Sequence, residues 1–295
     1  MSVLIDAGAR VLIYGIAGNF GRFSARDLLA CGTQLVAGVA PGRDVHDVEG
    51  VPVFRDARAC TTAGADMALV YVPAPAAPDA LLEVIDAGCK VVVYPGDGLP
   101  VQDAISIRDT ARRARCVLVG PNTPGIISPG KAKLGFMPTH CYMPGPIGVI
   151  SRSGSLSYEA AWRLTTAGLG QTTVIGIGGD PVKGLNAAEA IELLHADEET
   201  RAILYLGEIG GSDEYAVARY AQRADAKATA ALIVGSAAPP GKKMGHAAAL
   251  VGSQADSQAA KVTALRAAGV HVADNLGDLV AAVQLSLQAR SPVMS

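Results

Sequence analysis

Short apolar runs alternate with longer amphipathic stretches along most of this chain. The runs at residues 11–14, 35–39 and 67–72 are strand-like, and amphipathic stretches such as residues 101–114 lie between runs of this kind. Short buried strands that are separated by helices need crossover connections, and crossover connections produce parallel pairing. The alternation therefore predicts an α/β fold built on parallel sheets.

The alternation stops over residues 120–146 and then resumes. Six prolines and five glycines fall in this stretch, a density that is typical of turns rather than of helices or buried strands. We therefore predict two consecutive α/β domains at residues 1–121 and 147–295, joined by a Pro/Gly-rich connection at residues 122–146 that contains a hairpin at most.

Charge and composition exclude several classes of protein. Lys and Arg number 25 against 27 Asp and Glu, which leaves no basic excess to neutralise a nucleic acid or an anionic membrane. No apolar run approaches the ~20 residues that span a bilayer. The five cysteines lie at least 25 positions apart, with no metal-binding or disulfide pattern. We expect a cytoplasmic protein with no metal site that binds neither nucleic acid nor membrane.

A glycine loop follows the first strand-like run. Gly15, Gly18 and Gly21 lie between that run and a helical pattern, and a helix N-terminus after a strand is a site for anions. Their spacing differs from the G-x-G-x-x-G of dinucleotide sites, and the second strand ends without the acidic residue that a ribose needs. Arg43 follows there and suits a phosphate, as on CoA or NADP. Two interpretations stay open: a phosphate-ligand site, or a tight turn alone.

Ser153 and Gly154 begin a helical pattern directly after the strand candidate at residues 147–151. Their hydroxyl and amide groups suit a phosphoryl group, although Ser153 is equally suited to cap the helix. Glycine-rich loops at residues 176–181 and 207–212 follow two further strand candidates. Because the carboxyl ends of parallel strands share one edge, we expect the three loops to line one crevice.

His246 differs from the other four histidines because it lies in a glycine-rich loop after the strand candidate at residues 230–234. Glu208, at another strand end, is placed to accept a hydrogen bond from one ring nitrogen and to leave the other as a nucleophile. The alternative is a surface-loop histidine without a chemical role.

Together these residues resemble the alpha subunits of succinyl-CoA synthetases, the nucleoside-diphosphate-forming succinate–CoA ligases. The resemblance covers nearly the whole chain, and residues 243–247 (Lys-Met-Gly-His-Ala) resemble the phosphohistidine signature of the family. The fold that it implies is a Rossmann-like CoA-binding domain followed by a flavodoxin-like α/β domain that carries the phosphohistidine.

The resemblance also implies a mechanism. ATP or GTP, bound with Mg²⁺ on an ATP-grasp-type beta subunit in an αβ or α2β2 assembly, phosphorylates His246, and Glu208 orients its ring. The phosphoryl group, bound by Ser153 and Gly154, passes to a small carboxylic acid near Tyr158 and makes an acyl phosphate. CoA then attacks the acyl phosphate, and phosphate leaves. The matching CoA positions are Ala17, Gly18, Asn19, Phe20, Arg43, Pro95, Gly96 and Asp97.

Several positions depart from the family pattern, and all lie in or near the first domain. Arg43 stands in place of a lysine, Thr123 in place of a cysteine, and residues 93–98 in place of a Thr/Ile-rich stretch. The alternatives are the same chemistry on malate, itaconate, citrate or a sulfonated acid, a CoA-binding regulatory protein without turnover, and an NADP-dependent oxidoreductase.

Overall fold

The computed structural model describes residues 3–239, 241 and 244–289. It divides into two compact units, of which the first comprises Leu4–Met137 with Val182–Leu185 and the second Pro138–Pro181 with most of the chain from Asn186 onward. None of the helices in the described ranges has the length and apolar character that crossing a membrane requires.

The elements follow one another in the alternating order that the sequence predicts. In chain order the strands are β1 (Arg10–Tyr14), β2 (Gln34–Val39), β3 (Asp47–Val48), β4 (Val51–Phe54), β5 (Met67–Val70), β6 (Val91–Val93), β7 (Val117–Val119), β8 (Gly125–Ser128), β9 (Ala132–Gly135), β10 (Pro144–Ser151), β11 (Gln171–Gly176), β12 (Ala202–Glu208), β13 (Ala228–Val234) and β14 (His271–Ala273). The α-helices are α1 (Asn19–Ala30), α2 (Ala57–Thr62), α3 (Ala77–Asp86), α4 (Val101–Arg113), α5 (Gly154–Thr166), α6 (Ala187–Ala196), α7 (Asp213–Ala221), α8 (Gln258–Ala267) and α9 (Leu279–Ala289).

The sheet of the first unit has the strand order of a Rossmann fold. Its parallel strands run β4-β2-β1-β5-β6-β7, with β3 antiparallel to β4 at one edge. Numbered among themselves, the parallel strands read 3-2-1-4-5-6, the order of dinucleotide-binding folds. The order reverses beside β1, so the loop after β1 lies where such folds bind ligands. The predicted Rossmann-like domain is confirmed.

The second unit contains parallel strands in the order β11-β10-β12-β13-β14. This is the 2-1-3-4-5 order of flavodoxin-like folds, in which ligands lie at the reversal beside the first strand. The predicted flavodoxin-like domain is likewise confirmed, and β10, β11 and β12 end at one edge of the sheet.

The sequence analysis did not identify β3, β4 or α2. β3 has two residues and α2 six, too few for a hydrophobic period to develop, and β4 contains Pro52, which is atypical of a strand. The Pro/Gly-rich stretch contains the antiparallel hairpin of β8 and β9. The domain limits of 1–121, 122–146 and 147–295 stay predictions.

A buried lysine attaches this hairpin to α1 in the first unit. Lys133 of β9 is fully buried, and its Nζ lies 2.5 Å from Asp27 Oδ2 and donates to the carbonyl oxygen of Met137 at 3.0 Å. Its backbone N–H donates to Thr33 Oγ1 at 2.9 Å. The buried charge is thus compensated by both an ion pair and a hydrogen bond, as burial requires.

Candidate functional site

The structure brings His246 and Glu208 together. Glu208 is the last residue of β12 and is buried, and its Oε2 and Oε1 atoms lie 2.8 and 3.0 Å from Nδ1 of His246. A carboxylate only accepts, so Nδ1 carries the proton and Nε2 keeps its lone pair. The hydrogen bond to Glu208 also raises the pKa of His246 above its ordinary value. The pair therefore presents Nε2 as a nucleophile with a carboxylate behind the ring.

Glycines in two neighbouring loops make room for the histidine loop. A Cβ on Gly179 would lie 2.5 Å from Cγ of His246, and one on Gly210 would lie 2.0 Å from the carbonyl oxygen of Ala248. The N–H of Ala248 donates to the carbonyl oxygen of Gly179 at 3.2 Å. These loops, which follow β11 and β12, therefore pack directly against the segment that carries His246.

Ser153 caps the N-terminus of α5. Its side chain accepts a hydrogen bond from the N–H of Leu156 at 3.4 Å, and its own N–H donates to Ser151 Oγ at 3.2 Å. The helix begins at Gly154, and the first N–H groups of a helix have no acceptor within it. The serine is thus a cap, and the helix dipole with these amides favours an anion at the carboxyl end of β10.

The predicted substrate residue Tyr158 lies on α5, and its hydroxyl oxygen is buried. Tyr142 also has a buried hydroxyl oxygen, and burial raises the pKa of that group. A substrate contact at Tyr158 stays a prediction.

The glycine loop after β1 is required by the packing of the chain itself. Gly15 has a φ of +85°, and a Cβ there would lie 2.1 Å from the carbonyl oxygen of Tyr71. A Cβ on Gly21 would lie 2.3 Å from the carbonyl oxygen of Gly15. Only glycine permits this turn, which brings the N-terminus of α1 to the reversal point of the sheet.

A groove of about 650 Å³ opens beside this loop. Exposed aromatic rings line part of it: Phe20 and Phe23, one helical turn apart on α1, are 77% and 61% exposed, and Phe136 is 43% exposed. The lining residues are Gly15, Gly18, Asn19, Phe20, Gly21, Phe23, Val70, Tyr71, Val72, Pro73, Pro95, Gly96, Asp97, Asn122 and Phe136.

Most of the predicted CoA residues lie in this lining, and Ala17 and Arg43 do not. The sequence analysis missed Phe23 and Phe136. Phe23 could have been found because it lies three positions after Phe20 near the start of the predicted helix, which puts both rings on one helix face. An apolar face of this kind either packs against the rest of the protein or binds a ligand.

Two guanidinium groups meet at the carbonyl oxygen of Ala17. Arg22 Nε donates to it at 3.3 Å and Arg43 Nη1 at 3.5 Å, so both bonds are long and weak. Arg43 is a predicted site residue, whereas Arg22 was missed. Two cations beside a helix N-terminus favour a phosphate ligand.

The segment that departs from the family pattern at residues 93–98 is firmly packed. Tyr94 is buried, its hydroxyl donates to the carbonyl oxygen of Val72 at 3.4 Å, and its ring lies where a Cβ on Gly96 would be. The N–H of Asn122 donates to the carbonyl oxygen of Gly96 at 2.8 Å. These contacts fix Pro95, Gly96 and Asp97 along the groove.

Within residues 3–239, 241 and 244–289, no group of three or more His, Cys, Asp or Glu side chains is placed to bind a metal ion.

Two family models match this chain, each over a different range of residues. A family model described as a CoA binding domain matches residues 6–95, and one described as CoA-ligase matches residues 150–271. The alpha subunit of succinate–CoA ligase [ADP-forming] from Aquifex aeolicus is 45% identical over 289 residues, which cover 96% of this chain and 95% of that relative. Alpha subunit 1 of the same enzyme from Archaeoglobus fulgidus is 42% identical, with 98% and 99% covered.

The alpha subunit of malate–CoA ligase from Methylorubrum extorquens is also 42% identical, over 94% of this chain and 95% of the relative. Among solved structures, ATP citrate lyase from Methanothrix soehngenii in complex with citrate and coenzyme A superposes with a TM-score of 0.89 at 23% identity. The match covers 97% of this chain and 51% of that one, and at this identity it shows the fold alone. The chain belongs to the family of succinate–CoA ligase alpha subunits.

Proposed function

We propose that this chain is the alpha subunit of an ADP-forming acid–CoA ligase that joins a four-carbon dicarboxylate, succinate or malate, to CoA. The contact of His246 Nδ1 with Glu208 at the carboxyl edge of the second sheet is the observation that carries the proposal. Relatives named for succinate and for malate are similarly close, which supports this substrate class.

The reaction divides into three displacements. Nε2 of His246 attacks the γ-phosphorus of the nucleotide, so that an N–P bond forms and the P–O bond to the diphosphate breaks. A carboxylate oxygen of the acid then takes the phosphoryl group, which breaks the N–P bond and gives an acyl phosphate. The CoA thiolate attacks the acyl carbon, and phosphate leaves. Each step is easier than a direct condensation.

Glu208 and the start of α5 assist these steps in different ways. The carboxylate of Glu208 stabilises the positive charge that the ring of His246 acquires when its Nε2 is phosphorylated. The hydroxyl of Ser153 and the first-turn amides from Gly154 onward would bind the phosphoryl oxygens at the positive end of the helix dipole.

A beta subunit completes the enzyme, since the relatives are alpha subunits by name. We propose that it is of the ATP-grasp type, that it binds ATP or GTP with Mg²⁺, and that the assembly is αβ or α2β2. The metal ion would neutralise charge on the transferring phosphoryl group.

CoA would occupy the groove beside the first glycine loop. Arg43 and Arg22 would bind phosphate oxygens, and Asn19, Phe20 and the segment from Pro95 to Asp97 would contact the rest of the ligand. The match of residues 6–95 to a CoA binding domain supports this assignment.

The direct test is phosphoryl labelling. We expect the chain, co-expressed with its beta subunit and incubated with γ-labelled ATP and Mg²⁺, to carry acid-labile label on the peptide that contains His246. His246→Ala abolishes the label, because the nucleophile is lost. Succinate or malate together with CoA discharges the wild-type label.

Label that persists in the His246→Ala complex contradicts the mechanism. A folded wild-type complex that binds CoA and takes no label supports instead the regulatory protein without turnover. Discharge by citrate or itaconate, and not by succinate or malate, overturns the substrate class.

Glu208→Gln tests the carboxylate behind the ring. The glutamine amide cannot stabilise a cationic imidazole, so the pKa of His246 falls toward its ordinary value of about 6.5. Because the neutral ring is the nucleophile, the rise of the phosphorylation rate with pH moves to lower pH. The plateau rate falls by about 100-fold. An unchanged midpoint and plateau in a pH–rate series would remove Glu208 from the mechanism.

Arg43→Met tests the phosphate contact. We expect the Kd of CoA to rise about tenfold, because a charge-assisted hydrogen bond is lost. The same substitution is expected to leave the Kd of dephospho-CoA unchanged, because that ligand lacks the ribose phosphate that Arg43 would bind. Calorimetric titration measures both, and Arg58→Met, an exposed arginine on α2, serves as the control. An equal rise in Kd for CoA and for dephospho-CoA would show that Arg43 does not bind the ribose phosphate.

A further inference from the structure

A buried charge cluster lies behind Glu208 in the second unit. It consists of Arg152, which follows β10, Glu214 of α7 and Lys261 of α8, and all three are almost wholly buried. None of the three side chains has a role in the three displacements. Three buried charges from three separate elements need a reason, because burial of a charge is costly.

Lys261 contacts two backbone carbonyl oxygens and one carboxylate. Its Nζ donates to the carbonyl oxygens of Glu208 at 2.8 Å and Gly210 at 2.6 Å, and it forms an ion pair with Glu214 Oε2 at 2.6 Å. Three oxygens thus surround an ammonium group that has three N–H bonds. Two of the three acceptors belong to the backbone that leads out of Glu208.

Arg152 contacts the same groups from another direction. Its Nη1, which carries two N–H bonds, has three acceptors within hydrogen-bonding distance: the carbonyl oxygens of Glu208 at 3.2 Å and Gly210 at 2.6 Å, and Glu214 Oε1 at 3.1 Å. Its Nη2 lies 3.3 Å from Glu208 Oε1. A single guanidinium group therefore hydrogen-bonds the backbone carbonyl of Glu208 and forms an ion pair with its carboxylate.

Glycines let the backbone present these carbonyl oxygens. Gly210 and Gly211 have φ values of +77° and +68°, in the left-handed region that other residues rarely adopt. The carbonyl oxygens of Glu208 and Gly210 can then accept from the same two cations. The turn after β12 is thus anchored by the cluster.

Glu214 supplies the counter-charge. Its Oε1 also accepts from the Tyr205 hydroxyl at 3.1 Å and from the Glu208 N–H at 3.3 Å. Burial raises the pKa of Tyr205 well above its ordinary value, so its hydroxyl stays a donor. Three carboxylates face the two cations: Glu214, Glu208, and Asp213, whose Oδ2 lies 3.9 Å from Arg152 Nε.

We infer that Arg152, Glu214 and Lys261 are positioning residues that fix the Glu208 carboxylate against Nδ1 of His246, so that Nε2 is set as the nucleophile before any phosphoryl donor binds. The catalytic consequence rests on the proposed function, whereas the positioning is a property of this chain alone. Among the described residues, the charged groups that act on the pKa of His246 are Glu208, which raises it, Arg152, which lowers it, and Asp180, which raises it.

The test is the double variant Lys261→Met/Glu214→Gln, which removes one positive and one negative charge and leaves no buried charge without its counter-charge. NMR of the full chain labelled with ¹⁵N-histidine reports the protonated ring nitrogen and the pKa of His246. The wild type shows Nδ1–H and a raised pKa. In the double variant Glu208 loses the Lys261 contact to its carbonyl oxygen, and Arg152 loses the Glu214 charge that pairs with it. Arg152 then holds the Glu208 carboxylate less firmly against Nδ1, so the pKa of His246 falls toward about 6.5 and the second neutral tautomer appears.

The same variant in complex with its beta subunit is expected to lose at least about tenfold in phosphorylation rate, with an unchanged KM for CoA. The matched control is Lys133→Met/Asp27→Asn, which removes the buried lysine–carboxylate pair of the first unit. It lowers the melting temperature and leaves the pKa and the tautomer of His246 as in the wild type. A purely structural role for the cluster predicts no difference between the two double variants at His246.

Glu214→Gln alone keeps the shape of the side chain but leaves the two buried cations with less counter-charge, and it is expected to lower the pKa of His246 as well. A folded double variant or Glu214→Gln chain that keeps the raised pKa and the Nδ1–H tautomer overturns the inference. Failure of the wild-type complex to form phosphohistidine contradicts the proposed function instead, because the NMR measurement needs neither nucleotide nor beta subunit.

Discussion

Parallel strand pairing is the constraint on which both candidate sites depend. Parallel strands place their carboxyl ends at one edge, and the reversal of strand order beside β1 and beside β10 leaves that edge open between helices. The first reversal exposes the N-terminus of α1 beside the groove. The second brings together the loops that follow β10, β11 and β12. The chemistry then follows from what those few loop residues are.

The glycines in these loops have roles that differ from a simple phosphate cradle. Gly15 and Gly21 are required because the chain packs against itself, and Gly179 and Gly210 make room for the loop that carries His246. Their first effect is therefore to let backbone and side chains approach closely. The groups available to an anion are the helix amides and, in the first unit, Arg22 and Arg43.

Most of the fold, and part of the candidate site, could be predicted from the sequence. Hydrophobic alternation predicted the parallel sheets, and the family resemblance supplied the Rossmann-like and flavodoxin-like orders. The contact between His246 and Glu208 was predicted because Glu208 lies at the end of a strand and His246 in a loop that follows another strand. The sequence analysis missed β3 and α2 because a period needs several residues to develop, and it missed β4 because Pro52 interrupts its apolar run. Glu214 and Lys261 escaped because long-range packing brings them to Glu208 and no local pattern marks them.

Glu208 accepts the hydrogen bond from Nδ1 of His246 and so leaves Nε2 to react. The position of the phosphoryl group in the phosphorylated complex tests this arrangement, and ³¹P NMR at alkaline pH, with the two phosphohistidine isomers as standards, measures it. We expect phosphorus on Nε2, since Nδ1 lies 2.8 Å from the carboxylate. Phosphorus on Nδ1 would contradict it.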